Sequence, residues 1–333
     1  MMAAGEGIPA IWEWSATGDD MRAPHTGADT SGNRIVVYSH CLDGSSGGSH
    51  LNGDLDIILT SNADIILLQD TRWLPHQAAS AVSRLSQEWS SQGLWTKYWP
   101  GAQPRNCRHG VFVAVRAPWH NRVLRDIQDQ RDWGRFGGVI IQGASGSVAF
   151  VSLYAPTFSD HAADVTWQCA QIQKLKLNMT PWDLCRHDLR VLVLQLQAEG
   201  IVCVIAGDTN TTWDLGARLH EPAPATMKHI ELWRKWADDL QFENVMRLRQ
   251  HDPTVTFTRT NTSNDMDAII MPKSLSSACL QRAGVLSSPS AHRPPSDSEH
   301  WPVVAEFTFE AILGMDGETL KSRTAVMGHR SPV

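Results

Sequence analysis

From Asn33 onward, apolar residues gather into short runs closed by glycine or polar punctuation. "RIVVYSH" (34–40), "ADIILLQD" (63–70) and "GVFVAVR" (110–116) have the β-branched density of strands, and a helix including Leu51 to Leu59 precedes the second. "GRFGGVIIQG" and "SVAFVSLYAP" flank a turn from Gly143 to Gly146 and predict a hairpin. Between about Asp164 and Gly200 the apolar spacing turns helical, with Pro181 breaking the run and Gly200 as a C-cap. Then come the strand "IVCVIAGD", a helix over 228–240, the runs "TVTFTR" and "MDAIIMP", and a last strand "HWPVVAEFTF" (300–309).

Frequent hairpins among alternating strands and helices predict an α+β fold with mixed sheets covered by helices. The pattern divides the 333 residues into a loose lead-in (1–33), one domain (34–312) and a flexible tail (313–333). Fourteen Trp supply large side chains for its core. No apolar run is long enough for a membrane span, and the first residues lack the form of a secretory leader. The six Cys include no C-x-x-C pair, which argues for a reducing compartment without disulfides.

A net charge of −6 argues against a chain that coats nucleic acid indiscriminately. Between Arg105 and Arg135, however, seven Arg stand against three Asp. That run reads equally as a solvated loop face or as a phosphate-contacting ridge.

Polar residues fall where strand propensity does not want them. Asp70 closes "IILLQD", Asp208 closes "VCVIAGD" two residues before Asn210, Asp267 opens "DAIIMP", and Glu299 and His300 open "WPVVAEF". Each alone reads as a turn former. Together they supply what water attack on a phosphodiester requires: oxygen ligands for a hard cation, a base, and an imidazole oriented by a carboxylate.

These segments resemble the endonuclease/exonuclease/phosphatase superfamily, AP-endonuclease-like, and most of all the endonuclease domain of LINE-type retrotransposons. "ADIILLQDTRW" is similar to its D-I-x-x-L-Q-E-T segment, "GRFGGVIIQGASGSVAFVSLYAPT" to its G-R-x-x-x-v…Y-A-P segment, "IAGDTNTT" to G-D-x-N and "SEHWPVV" to S-D-H-x-P-v. "FENVMRLRQHDPTVTFTR" carries the LINE-type likeness. The resemblance implies a four-layer α/β/β/α sandwich with two packed mixed β-sheets. It assigns Asp208 to the attacking water, Asn210 to water and phosphate, Tyr154 and His300 to the phosphate, and Asp267 to orienting His300. It places Asp70, Glu299 and Cys41 at a magnesium site, with manganese as the alternative ion.

The chain departs from the pattern at that site. Cys41, between His40 and Asp43, stands where the family has Asn, Asp70 where it has Glu, and Glu299 where it has Asp unless Asp297 serves. Arg135, Trp213 and Trp301 are candidates to touch substrate, with core packing the alternative for each Trp. The resemblance implies a Mg2+-dependent phosphodiesterase that nicks DNA; the chain is expected to be monomeric and intracellular, and that substrate places it in the nucleus. The alternatives are a weakened relic that binds nucleic acid or protein, and the same chemistry on RNA or a phosphoinositide.

Overall fold

The computed structural model describes residues 13–14, 34–42, 55, 58–59, 61, 63–89, 93–101, 109–157, 163–213, 224–248, 256–259, 262–287 and 298–313. Its strands are β1 (Glu13–Trp14), β2 (Arg34–Cys41), β3 (Ile65–Gln69), β4 (Leu94–Pro100), β5 (Gly110–Arg116), β6 (Val123–Gln128), β7 (Phe136–Gln142), β8 (Ser147–Tyr154) and β9 (Ile201–Asp208). They continue with β10 (Phe242–Asn244), β11 (Phe257–Arg259), β12 (Thr262–Asn264), β13 (Asp267–Pro272), β14 (Leu280–Ser287) and β15 (Val303–Thr308). The helices are α1 (Pro75–Glu88), α2 (Ala163–Lys174), α3 (Pro181–Ala198), α4 (Pro224–Asp239), α5 (Lys273–Cys279) and α6 (Glu310–Leu313).

One sheet runs β1-β14-β15-β2-β3-β5-β4 and the other β10-β13-β9-β8-β7-β6, with β11 and β12 as a separate ribbon. Both are mixed, because β2–β3 and β8–β9 pair in parallel while their neighbours are antiparallel. Period-two alternation sorts the side chains between the faces. Val37, Leu67 and Val113 meet Val139, Phe150, Val204 and Ile269 in a core shared by the sheets. On the outer faces, Tyr38, Ile66 and Leu68 pack with Ala78, Ala81 and Leu85 of α1. Val151, Cys203 and Ile205 pack with Leu189 and Val193 of α3 and Trp233 and Trp236 of α4. The result is the expected α/β/β/α sandwich.

The expected hairpin forms as β7 and β8, and Pro181 opens α3 rather than merely interrupting a helix. Gly200 takes φ +71° just past that helix. Part of the expected lead-in is structured: Glu13 and Trp14 pair with Ser287 and Leu286. The rest of 1–33 and all of 314–333 lie outside the described residues, as does most of the helix expected over 51–59, although Leu55, Ile58 and Leu59 are helical.

Register sets up the site. Tyr154 and Asp267 are the partners of Asp208 on its two sides, so three polar strand ends line up across one sheet. In the other sheet β2 ends on Cys41, opposite Gln69 of β3. Gly207 lets β9 come close to β8: at φ +149°, a Cβ there would lie 2.0 Å from the Leu153 carbonyl oxygen.

Candidate active site

At this shared edge the Asp208 carboxylate is held from several sides. Its Oδ1 accepts the Asn210 amide at 2.7 Å, while Oδ2 lies 3.6 Å from Cys41 Sγ, which donates to it. His300 Nε2 stands 3.8 Å from the same Oδ2. On the far side of the ring, His300 Nδ1 donates to Asp267 Oδ2 at 2.8 Å. Burial pushes the Asp208 carboxyl up to about 7, against the lowering effect of His300. Four of the expected residues, Cys41, Asp208, Asp267 and His300, are therefore one constellation.

The loop after β9 is built by its own side chains. Thr209 Oγ1 donates to the Met266 carbonyl at 2.9 Å and accepts from Trp213 Nε1 at 2.9 Å. Asn210, at φ +49°, donates its side-chain Nδ2 to the Ala155 carbonyl at 2.8 Å, which ties the loop to the end of β8. Tyr154 is buried beside it, its hydroxyl 3.5 Å from Thr157 Oγ1.

Ser298 fastens the end of β2 to the segment that leads into β15, its neighbour in the same sheet. Its hydroxyl donates to the Cys41 carbonyl at 2.6 Å and accepts the His300 amide at 3.0 Å. The Phe257 ring meets the His300 ring edge-on at 4.9 Å. His40 is structural: Nε2 donates to the His300 carbonyl at 3.1 Å, and burial lowers its pKa to about 4. Asp43 and Asp297 lie outside the described residues.

Asp70 is turned to other partners. Its Oδ1 accepts from the His109 amide at 2.8 Å and Arg72 Nε at 3.1 Å, and its Oδ2 accepts from Arg72 Nη2 at 2.6 Å. A hard cation needs such oxygens with vacant lone pairs. With a guanidinium across Asp70, a thiol at Cys41 turned to Asp208, and Glu299 half-buried outside the constellation, these three residues do not fit magnesium. Among the described residues, the group arranged for a metal is Cys41, Asp208 and His300, whose ligand atoms lie within 4.8 Å of one another.

The three residues expected at the substrate surface are corrected by the structure. Arg135 is fully buried, forking onto Asp129 at 2.9 Å through both Nε and Nη2 and reaching Asp188 at 2.7 Å. Trp213 and Trp301 are buried core residues, because each packs its ring into a cluster beneath the site. Of the rest of the basic run, Arg116 pairs with Asp64, Arg131 with Asp188 and the exposed Arg125 with Glu199, while Arg122 lies over Trp119. Arg105 and Arg108 lie outside the described residues.

Sequence reasoning missed His109. It is fully buried, its amide holds Asp70, its ring meets Tyr154 edge-on at 5.3 Å, and its Nε2 lies 2.9 Å from Gln168 Nε2. The available signal was its place directly before the strand-opening Gly110.

No protein-family model matches the sequence, and no curated protein matches it. Solved structures do match in three dimensions. The AP endonuclease LMAP from Leishmania major aligns with TM-score 0.62 at 12% identity, over 83% of this chain and 88% of that one. The catalytic domain of Xenopus laevis APE2 aligns with TM-score 0.59 at 13% identity, over 82% and 92%. The 3′ phosphatase NExo from Neisseria, bound to a product DNA hairpin, aligns with TM-score 0.57 at 15% identity, over 82% and 99%. The chain has the fold of these AP endonuclease-type proteins.

Proposed function

We propose that the chain is a phosphodiesterase that nicks DNA. The observation that carries this reading is the line from Asp208 through His300 to Asp267, at 3.8 Å and 2.8 Å, on adjoining strand ends. In it, Asp208 takes the proton of the attacking water. A buried carboxyl raised to about 7 accepts a proton near neutral pH far better than an ordinary aspartate. Asn210 positions that water, and Tyr154 and His300 donate to the phosphate as charge grows on its oxygens. Asp267 fixes the ring of His300 by accepting from Nδ1. The fold neighbours include two AP endonucleases by name and a phosphatase holding a DNA product, which supports DNA as the substrate.

The retroelement origin rests on "FENVMRLRQHDPTVTFTR", nuclear location follows from the substrate, and a monomer is proposed with them. Magnesium and manganese enter as additions to be tested, since the residues expected to hold them do not fit a hard cation. The substrate assignment is tested with abasic and intact DNA duplexes, poly(A) RNA and a phosphoinositide in parallel. Cleavage of duplex DNA above the others is expected; turnover confined to the lipid or to RNA contradicts it.

A second reading is favoured by the Asp70–Arg72 pair: a relic that binds nucleic acid without cutting it. It predicts DNA binding without cleavage by folded protein, and cleavage that returns when Cys41→Asn and Asp70→Glu are made together.

A further inference from the structure

We propose that Cys41, Asp208 and His300 form a binding site for a thiophilic divalent cation, zinc above all, which this chain takes in preference to magnesium. The donor set is one sulfur, one oxygen and one nitrogen. Thiolate and imidazole select zinc, whereas magnesium requires oxygen ligands in octahedral array.

The distances suit the ion. Tetrahedral zinc with bonds of about 2.0–2.3 Å places its ligand atoms roughly 3.4–3.6 Å apart. Sγ to Asp208 Oδ2 is 3.6 Å and His300 Nε2 to that oxygen is 3.8 Å, with all three atoms within 4.8 Å. The nitrogen–oxygen edge must close by a few tenths of an ångström, and the sulfur–nitrogen edge by up to about 1.2–1.4 Å on the same geometry.

Two further features of the same residues suit a ligand site. His300 donates Nδ1–H to Asp267 Oδ2 at 2.8 Å, while its Nε2 lies on the side of Asp208 Oδ2 and Cys41 Sγ. A metal-ligating histidine has this kind of carboxylate partner behind it, fixing tautomer and ring angle. In addition, the buried Ser298 hydroxyl bonds the backbones of both Cys41 and His300, so two of the ligands are already held in register. Three protein ligands leave the fourth tetrahedral position open, as in zinc sites that bind water or substrate.

Binding replaces the Cys41 S–H by a sulfur–metal bond, and that proton leaves to solvent. Occupancy takes Asp208 and His300 as ligands, so zinc and the hydrolytic role compete for the same side chains. Metal binding is read in the absence of DNA, and it therefore stands or falls apart from the hydrolase reading.

The test uses Co2+ as a spectroscopic probe of the metal-free full chain. Tetrahedral visible bands and a near-ultraviolet thiolate-to-cobalt band are expected at one equivalent, displaced by Zn2+ but not by a large excess of Mg2+. Cys41→Ser should abolish the thiolate band. Asp267→Asn, which retains all three ligands, should weaken zinc by about 10- to 100-fold. Absence of the band in folded wild-type protein overturns the proposal, as does its persistence in folded Cys41→Ser. If Cys41→Ser does not fold, Asp267→Asn decides: a loss of tenfold or more sustains the site, and unchanged zinc affinity overturns it.

Discussion

His300 and Asp267 are joined through Nδ1 and Oδ2 at 2.8 Å, although 33 residues separate them in sequence. Asp267→Asn replaces a carboxylate acceptor by an amide that can hold the wrong tautomer. If His300 acts on the phosphate, kcat for DNA falls on the order of 10²–10⁴-fold with KM nearly unchanged. A change confined to KM, or a kcat loss below about tenfold, contradicts the orienting role.

Arg72 occupies the Asp70 carboxylate. Arg72→Ala leaves a fully buried carboxylate with the His109 amide and without its guanidinium, which costs about 1–3 kcal/mol. A divalent cation can then take the vacated oxygens. Thermal unfolding should show a lower midpoint for the variant, and magnesium should restore it by about 2 °C or more beyond its effect on wild type. Equal magnesium effects on both proteins show that Arg72 does not guard a cation position.

Arg135 belongs to the core and not to the substrate surface. Arg135→Met strips Asp129 and Asp188 of a buried cation, and losing one partner of such a network costs about 3–5 kcal/mol. Urea unfolding should register that loss while DNA affinity of the folded variant is retained. Full stability with weakened DNA binding restores the surface role.

This residue also shows what the sequence could disclose. A basic run announces charge but not direction, and the carboxylate that buries Arg135 from α3 is 53 residues away. The strand-end acids were legible because Asp is out of place in apolar strands, and register then set Asp208 beside Asp267. Helix α1 buries mostly small residues, Ala78 and Ala81 with Leu85, so its apolar stripe is thin. Strand β4, "LWTKYWP", lies at a sheet edge and is mostly half-exposed, without the dense apolar run that marks β5 beside it. The orientation of Asp70 was illegible for another reason: it follows from φ +46° at both Asp70 and Arg72.

His229, at the start of α4, is buried against Trp182, and burial lowers its pKa from 6.5 to about 4. The unfolded chain therefore takes up this proton first. Stability is whole above pH 6.5 and is lost as pH falls from there toward about 4, by about 3 kcal/mol at most. His229→Gln should flatten that part of the stability profile measured by urea unfolding. An identical acid limb in both proteins contradicts it.

In the proposed reading, Asp208 serves hydrolysis of DNA. The most direct measurement is nicking of supercoiled plasmid by the full chain with magnesium and then manganese, beside Asp208→Ala. Wild type should nick the plasmid, with a loss on the order of 10²–10⁴-fold in the variant. Equal nicking by both, or none from folded wild type with either ion, contradicts it.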